Sequence, residues 1–525
     1  MKKGKAVPPV FWRRASQLTF LALFFFLFVK TDYSGSDTIA WAVNILFRLD
    51  PFLALTASLA AGVFLLLMLP ALLTLLLTLL CGRAFCGWLC PLGTLLDGCH
   101  RLLRPGGVGR EGRYRPLRFY LLGFLLAGAW FGLPLAGVVD PFSLLVRGLA
   151  LAVEPGLNAL AETFFSQTYQ EAPAWLNAVS EPLYAFLKAT ILPFRQKHHD
   201  LALLSLALLL AVFLLERLER RFFCRNLCPL GALLAVAARF ALLRGRAGAH
   251  CGRCRSCREV CRMGAIDEKG DISPLDCTLC LDCLHHCPAG RVTFAFRGWR
   301  RERPVFAISR RGFLGSLALG ALLPFVLKGR TLARQADPFL IRPPGALAEE
   351  EFLGRCLRCG ECMKVCIGNG LQPAFLEGGL EGIFSPVLKA RTGYCEYNCT
   401  LCGQVCPSGA LRPLSLAEKR QVRIGSAWFD RDRCLPYAKG IPCLVCEEHC
   451  PTPEKAIQFR EAEVENSRGE RVLVKQPYLV DALCVGCGIC EARCPLPGVS
   501  AVRVTCAGES RDPAKALPAA ERLGY

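Results

Sequence analysis

The 525-residue chain is poor in the residues that hold most redox cofactors. It has seven histidines and four methionines, and no Cys-x-x-Cys-His, the attachment motif of c-type haem. His100, His198, His199, His250, His285, His286 and His449 all stand outside the apolar runs, which argues against haem held by two histidines inside a membrane. His198 and His199 read as a polar pair at the outer edge of one such run. No convincing GxGxxG or P-loop site for NAD, flavin or ATP is present. What the chain has in excess is cysteine, 31 residues, and apolar character, with 53% hydrophobic residues and a mean hydropathy of +0.35.

The net charge of +20 is unevenly placed, since residues 328–525 carry 26 Lys/Arg against 23 Asp/Glu. A basic excess confined to the hydrophobic part fits cytoplasmic loops of a membrane protein and not a nucleic-acid surface. Uncharged or nearly uncharged runs at 16–29, 52–80, 119–138 and 201–215 predict four membrane spans, and 308–330 a possible fifth. Basic residues at the N-terminus, Arg101 to Arg118, and Arg217 to Arg225 place those segments inside. Residues 139–200, with four basic and six acidic residues, face outside. Their weakly apolar pieces, FSLLVRGLALAV and EPLYAFLKATIL, are expected to lie along the membrane surface; the alternative is that one of them is a further span.

The cysteines fall into patterns. Cys251, Cys254, Cys257 and Cys261, and then Cys277, Cys280, Cys283 and Cys287, are two copies of C-x2-C-x2-C-x3-C. A tight triplet can wrap three corners of a 4Fe-4S cube while its fourth cysteine reaches a partner cube. Zinc sites use two separated pairs instead. Four further quartets follow: Cys356, Cys359, Cys362 and Cys366; Cys395, Cys399, Cys402 and Cys406; Cys434, Cys443, Cys446 and Cys450; Cys484, Cys487, Cys490 and Cys494. The second and third of these have lengthened first gaps, which a longer loop can accommodate.

Six quartets leave Cys81, Cys86, Cys90, Cys99, Cys224, Cys228 and Cys506. Cys86/Cys90 and Cys224/Cys228 repeat the form C-x3-C-P-L-G, each just after a predicted span. Together they could hold one more cluster at the membrane edge, with Arg83 and Arg225 offsetting its charge. The alternative is four buried thiols packing two helix ends. Cys81, Cys99 and Cys506 read as small buried residues. Trp88 and Trp299 could stack on a quinone, but fit interfacial aromatics better.

The pair of quartets at 251–287 resembles two-cluster bacterial ferredoxins. That resemblance implies one 4Fe-4S cluster on Cys251, Cys254, Cys257 and Cys287, and another on Cys277, Cys280, Cys283 and Cys261. Residues 10–300, with four spans, two C-x3-C-P motifs and this ferredoxin, resemble the NapH-type membrane subunit that feeds electrons to periplasmic nitrate reductase. The remainder resembles the NapG-type four-cluster periplasmic ferredoxin. In related four-cluster subunits the first and fourth motifs pair, as do the second and third. This implies the sets Cys356, Cys359, Cys362 with Cys494; Cys484, Cys487, Cys490 with Cys366; Cys395, Cys399, Cys402 with Cys450; and Cys434, Cys443, Cys446 with Cys406.

The expected architecture is therefore multi-domain. A helical transmembrane bundle of about four spans occupies 1–245, a cytoplasmic α+β two-cluster ferredoxin 246–300, a signal or anchor helix 301–335, and an exported four-cluster ferredoxin 336–525. The implied function is electron transfer in the inner membrane by a multi-pass protein. Membrane quinol, as a quinol dehydrogenase substrate, would be oxidised near the C-x3-C-P motifs. Its electrons would pass through six or seven 4Fe-4S clusters to a periplasmic reductase or carrier, with lipid and quinone as the other partners. The open alternatives are a polyferredoxin acting in metalloenzyme assembly, and an electron-transfer subunit whose quinol site lies on another chain.

The stretch SRRGFLGSLALGALLPFVL, with Ser309, Arg310, Arg311, Phe313 and Leu314, resembles a twin-arginine export signal placed between the two halves. Without a clear A-x-A after it, cleavage is not expected. Replacing Arg310 and Arg311 by Lys is expected to strand residues 336–525 in the cytoplasm, read by protease protection in spheroplasts. Normal export would leave only an ordinary span.

Overall fold

The computed structural model describes residues 8–103, 114–171, 173–246, 254, 256–268, 270–288, 290–296, 308–332, 337–466 and 468–512. The chain divides into two compact units that cut across the expected domains. One comprises Met1–Lys30, Val43–Val146 and Leu206–Lys328. The other comprises Thr31–Ala42, Arg147–Ser205 and Gly329–Tyr525.

In the first unit the helix Pro9–Lys30 begins earlier than hydropathy alone predicts. Arg13, Gln17, Phe24, Leu27 and Phe28 recur at helical spacing and form its buried face. The expected span 52–80 is broken. A helix Pro51–Ala61 ends at Gly62, whose φ of 65° lies in the left-handed region, and a second helix, Ala71–Cys81, starts after Pro70. A left-handed glycine closes a helix and a proline cannot continue one. At 11 residues each helix is about 16 Å long, half a bilayer core. The runs 119–138 and 201–215 are likewise shortened, to Leu117–Trp130 and Ala202–Leu214.

Among the described residues three helices are long and apolar enough to cross a membrane: Pro9–Lys30, Pro141–Glu171 and Arg310–Leu327. The middle one contains FSLLVRGLALAV and has the length and apolar character that the alternative, a further span, would need. Its residues continue one 31-residue helix through a π turn at Leu149–Val153. The starts of two apolar helices share a device that hydropathy hides. Asp50 accepts from the N–H groups of Phe52 (2.8 Å) and Leu53 (3.0 Å), and Asp140 from those of Phe142 (3.0 Å) and Ser143 (2.9 Å). Asp-Pro-Phe is thus a repeated N-cap followed by proline at the first helical position.

The helix Arg310–Leu332 packs on Leu117–Trp130 through small residues. A Cβ on Gly320 would stand 2.3 Å from the Phe124 carbonyl oxygen, and one on Gly123 3.0 Å from the Phe313 ring. The Ser309 N–H donates to the Tyr120 hydroxyl at 3.0 Å. Close backbone approach of this kind is how apolar helices associate where apolar surface alone gives no driving force.

The second unit is built from short antiparallel pairs: Leu371–Pro373 with Pro386–Leu388, Ser426–Phe429 with Val502–Thr505, and the hairpin Ile457–Glu465 with Arg471–Leu479. Ile341, Met363, Leu371, Leu388, Ile424, Val502 and Val504 form its main core together with Leu151. Segments from far earlier in the chain are fastened here. Asp37 accepts from both the N–H and the hydroxyl of Thr400 (2.7 Å each), and Arg147 donates to the Arg358 carbonyl at 3.1 Å. Buried Lys197 and Lys364 pair with Asp32 (2.9 Å) and Glu154 (2.6 Å).

Gly320→Ala is expected to lower stability by about 1–3 kcal/mol, the usual cost of forcing packed elements apart. The control Gly315→Ala, where a Cβ meets nothing within 4 Å, is expected to be neutral or stabilising. Thermal denaturation in detergent reads both.

Candidate metal centres

Four cavities in the second unit are each lined by four cysteines. Cys356, Cys359, Cys362 and Cys406 line one of about 370 Å³. Cys366, Cys395, Cys399 and Cys402 line another of about 360 Å³. Cys434, Cys443, Cys446 and Cys494 line a third of about 370 Å³, and Cys450, Cys484, Cys487 and Cys490 a fourth of about 360 Å³. The long first gap of the third motif is absorbed by a turn of helix, Leu435–Ala438, which leaves Cys434 in its cavity. Pro407, Pro451 and Pro495, each directly after a fourth cysteine, line three of the cavities.

This geometry corrects the expected pairing. The first motif exchanges its fourth cysteine with the second, and the third with the fourth. Cys494 is therefore not with Cys356, Cys359 and Cys362, nor Cys366 with Cys484, Cys487 and Cys490. Cys450 is likewise not with Cys395, Cys399 and Cys402, nor Cys406 with Cys434, Cys443 and Cys446. The reason lies in local closure. The bridge Ala346–Leu411 brackets the first two motifs, and the strands Ser426–Phe429 and Val502–Thr505 bracket the last two. Each bracket closes a loop shorter than any pairing of first with fourth would need.

The donor set fits an iron–sulfur core. Burial, then repulsion from neighbouring thiolates, pushes the thiol of Cys446 up to about 12. Burial likewise takes Cys434 to about 11, with Cys443 and Cys494 adding repulsion. Such groups ionise together only around a strongly cationic centre. Among the described residues no three His, Cys, Asp or Glu side chains close on a point as they would around a single ion. Four thiols about a cavity suit a multi-iron core instead.

In the first unit the strands Leu243–Arg246 and Thr293–Phe296 bracket the 251–287 motifs in the same way. Cys251 lies outside the described residues. Cys261 stands among Cys277, Cys280 and Cys283, whose thiols are raised first by burial and then by neighbouring negative charge, that of Cys261 in every case. Cys254 feels Cys287.

The cysteines of the two C-x3-C-P motifs converge as well. Cys86, Cys90, Cys224 and Cys228 all feel one another electrostatically, and burial raises Cys224 to about 12. The two motifs fold alike: Cys90 precedes the helix Pro91–Leu103, Cys228 precedes Pro229–Ala238, and the Gly231 N–H donates to the Cys228 sulfur at 3.2 Å. The repeat is longer than it first reads, Arg-x-Phe-Cys-x3-Cys-Pro-Leu-Gly, from Arg83 and from Arg221.

Each arginine crosses to the other motif. Arg221 donates to the carbonyls of Cys86 (3.2 Å) and Gly93 (3.0 Å), and Arg83 lies where a Cβ on Gly231 would come within 2.8 Å. Arg225 is therefore not the second counter-charge. Its guanidinium is taken by Glu219 at 2.9 Å. The signal that finds Arg221 is the alignment of RAFC with RFFC.

The 251–287 ferredoxin is seated directly on the first of these motifs. A Cβ on Gly87 would stand 2.2 Å from the Thr278 carbonyl oxygen, so glycine is required there. The Trp88 indole donates to the Leu279 carbonyl (2.9 Å) and Arg83 to that of Leu275 (2.9 Å), which makes Trp88 a fastening between the two. Arg13 donates to the Cys280 carbonyl (2.9 Å) and pairs with Asp282 (3.0 Å), while Arg262 joins Asp282 to Asp97. Trp299 lies outside the described residues. The first unit also holds an open cleft between Leu59–Gly62, Trp130–Gly132 and Pro324–Phe325, lined by apolar residues.

These thiol sets define a ferredoxin-type iron–sulfur electron-transfer protein. The model of the Fer4_5 family, a 4Fe-4S binding domain, matches residues 63–106 and 201–250, which contain the two C-x3-C-P motifs. The NosR model matches 249–289. The methylamine utilization ferredoxin-type protein MauM of Methylorubrum extorquens is 37% identical over 191 residues, 35% of this chain and 82% of that protein. The ferredoxin-type protein NapG of Escherichia coli is 35% identical over 165 residues, 31% of this chain and 69% of that one. NapF of the same organism is 33% identical over 162 residues, 31% of this chain and 84% of its own length. The chain belongs to the family of MauM- and NapG-type ferredoxin-type proteins. No solved structure matches it.

The exchanged pairing is read by iron content. Cys359→Ser with Cys406→Ser is expected to lose one cluster, about four iron atoms, whereas Cys359→Ser with Cys494→Ser is expected to lose two. The opposite result, two clusters lost by the first variant and one by the second, would restore the pairing of first with fourth.

Proposed function

We propose that the chain is a membrane-bound quinol dehydrogenase that relays electrons from membrane quinol to a periplasmic acceptor. The observation that carries this reading is the convergence of the two C-x3-C-P motifs, each adjoining an apolar helix, into one four-thiol site against a ferredoxin. A site that takes electrons from a membrane-dissolved donor needs this position. Six ferredoxin-type sets and the membrane-edge set would hold 4Fe-4S clusters, which supply one-electron transfer when bound. Cys251 completes the set of Cys254, Cys257 and Cys287, and Cys261 the set of Cys277, Cys280 and Cys283.

The chain's own residues do the rest. Arg83 and Arg221 balance the charge of the membrane-edge thiols, Gly87 permits close approach of the next cluster set, and buried thiols keep water from the relay. The packing of 31–42 and 147–205 with 329–525 in one unit supports an arrangement with all three on the periplasmic side of an inner-membrane protein. The helix Arg310–Leu332, seated on Leu117–Trp130, then acts as an uncleaved twin-arginine signal and anchor.

Purified protein is expected to contain about 28 iron atoms, and Cys86→Ser with Cys228→Ser about 24, with one EPR signal lost. A quinol analogue is expected to reduce the wild type and not this variant. A wild type that quinol leaves oxidised, together with a metal-deficient partner enzyme in a deletion strain, would favour the assembly role.

A further inference from the structure

The relay described above accepts electrons, but quinol oxidation also releases two protons, and none of the thiol sets is built to take them. We propose that Glu216 and His100 are the proton-accepting pair of the membrane-edge site. This rests on the quinol reading just given.

Glu216 follows directly on the apolar helix Ala202–Leu214, and its carboxyl is fully buried. One oxygen, Oε2, accepts from the Arg221 N–H at 2.9 Å; the other, Oε1, has no hydrogen-bond partner. His100, on the helix Pro91–Leu103, brings Nδ1 to 3.9 Å from Oε2, and that nitrogen also has no hydrogen-bond partner. A buried acceptor without a donor costs free energy unless a proton or ligand visits it. Leu214 and Leu218 flank Glu216 and are exposed, so the pair adjoins an apolar face that a quinol can reach from lipid. The imidazole is about one-fifth exposed and gives the way out to water.

The groups facing this pair are Asp97, Arg220, Arg221, Arg262, Cys99 and Cys224. Burial lifts the Glu216 carboxyl to about 7, against the pull of the Arg221 N–H and guanidinium. Burial and then Arg220 hold the His100 imidazole below its ordinary value, so it is neutral and able to accept. A base poised near the working pH is the one that transfers protons efficiently.

Arg221 is the link to the electron acceptor. Its N–H holds Glu216, and its side chain lies against Cys86 and Gly93. Were Cys86, Cys90, Cys224 and Cys228 to hold a cluster, an electron taken up there would add negative charge beside Arg221 and so raise the proton affinity of Glu216. The balance is then complete. Both O–H bonds of the quinol break and a quinone forms. Its two electrons would leave one at a time to the iron–sulfur cluster that Cys86, Cys90, Cys224 and Cys228 would hold, and onward through the other sets. Its two protons leave through Glu216 and His100 to water.

The test uses the full-length protein with its clusters in detergent. Glu216→Gln keeps the shape and the bond from the Arg221 N–H. It is expected to slow cluster reduction by duroquinol roughly 100-fold while dithionite still reduces every cluster. His100→Gln is expected to slow the same step, and Glu216→Asp to recover part of it. A readout independent of turnover is the potential of the membrane-edge EPR signal. In the wild type it should fall as pH rises through neutrality, and in Glu216→Gln it should be flat. A Glu216→Gln protein with wild-type quinol kinetics and the same pH slope overturns the pair. If the wild type itself ignores duroquinol, the donor reading falls, and this inference with it. Wild-type reduction with an unaffected variant removes this inference alone.

Discussion

Thiolates repel one another, and burial makes the repulsion stronger. Among the described residues the chain gathers 27 cysteines into seven sets, all but Cys254 at least partly removed from water. Such sets persist only if positive charge is brought to them, from iron inside and from arginine or oriented N–H groups around. Much of the architecture follows from that need. Short strand pairs, or for the motifs at 356–406 a single bridge, bracket each pair of motifs so that the fourth thiol of one reaches the other's set. Gly87, Gly93 and Gly231 let backbone or guanidinium come close. Arg83 and Arg221 are buried, which is costly for any cation without fixed partners, and both are fixed by carbonyl oxygens.

The cysteine spacing is legible in the sequence because a cube of iron and sulfur imposes its geometry on a few consecutive residues. The pairing of motifs is not. It depends on where a chain closes on itself, and residues such as Ala346, Leu411, Ser426 and Thr505, which do the closing, have no distinctive sequence. Resemblance to other four-cluster subunits points to the other arrangement. Arg221 is hidden for a simpler reason. Aligning the repeat from its cysteines forward passes over an arginine three residues before them and favours Arg225.

The apolar runs carry less information than their length suggests. Hydropathy sees 29 uncharged residues at 52–80 as one span. Gly62 and Pro70, two residues with no hydropathic weight, make it two half-length helices. The reverse holds at 141–171, where Glu154 and Glu162 dilute the signal of a continuous helix. His100 and Glu216 are invisible as a pair because they are 116 positions apart in sequence and belong to no motif.

The crossing of the two arginines has a consequence for how the first unit can change. Arg221 offsets the charge of Cys224 in its own segment and of Cys90 in the sibling, and Arg83 reaches across to Cys224, so each segment depends on the other for part of its neutralisation. A duplicated segment usually gains freedom to drift, since one copy can cover for the other. Here the copies are hostages to one another. An altered arginine in one is felt as a defect in the second, so the pair is held to its common form long after the surrounding helices have lost theirs.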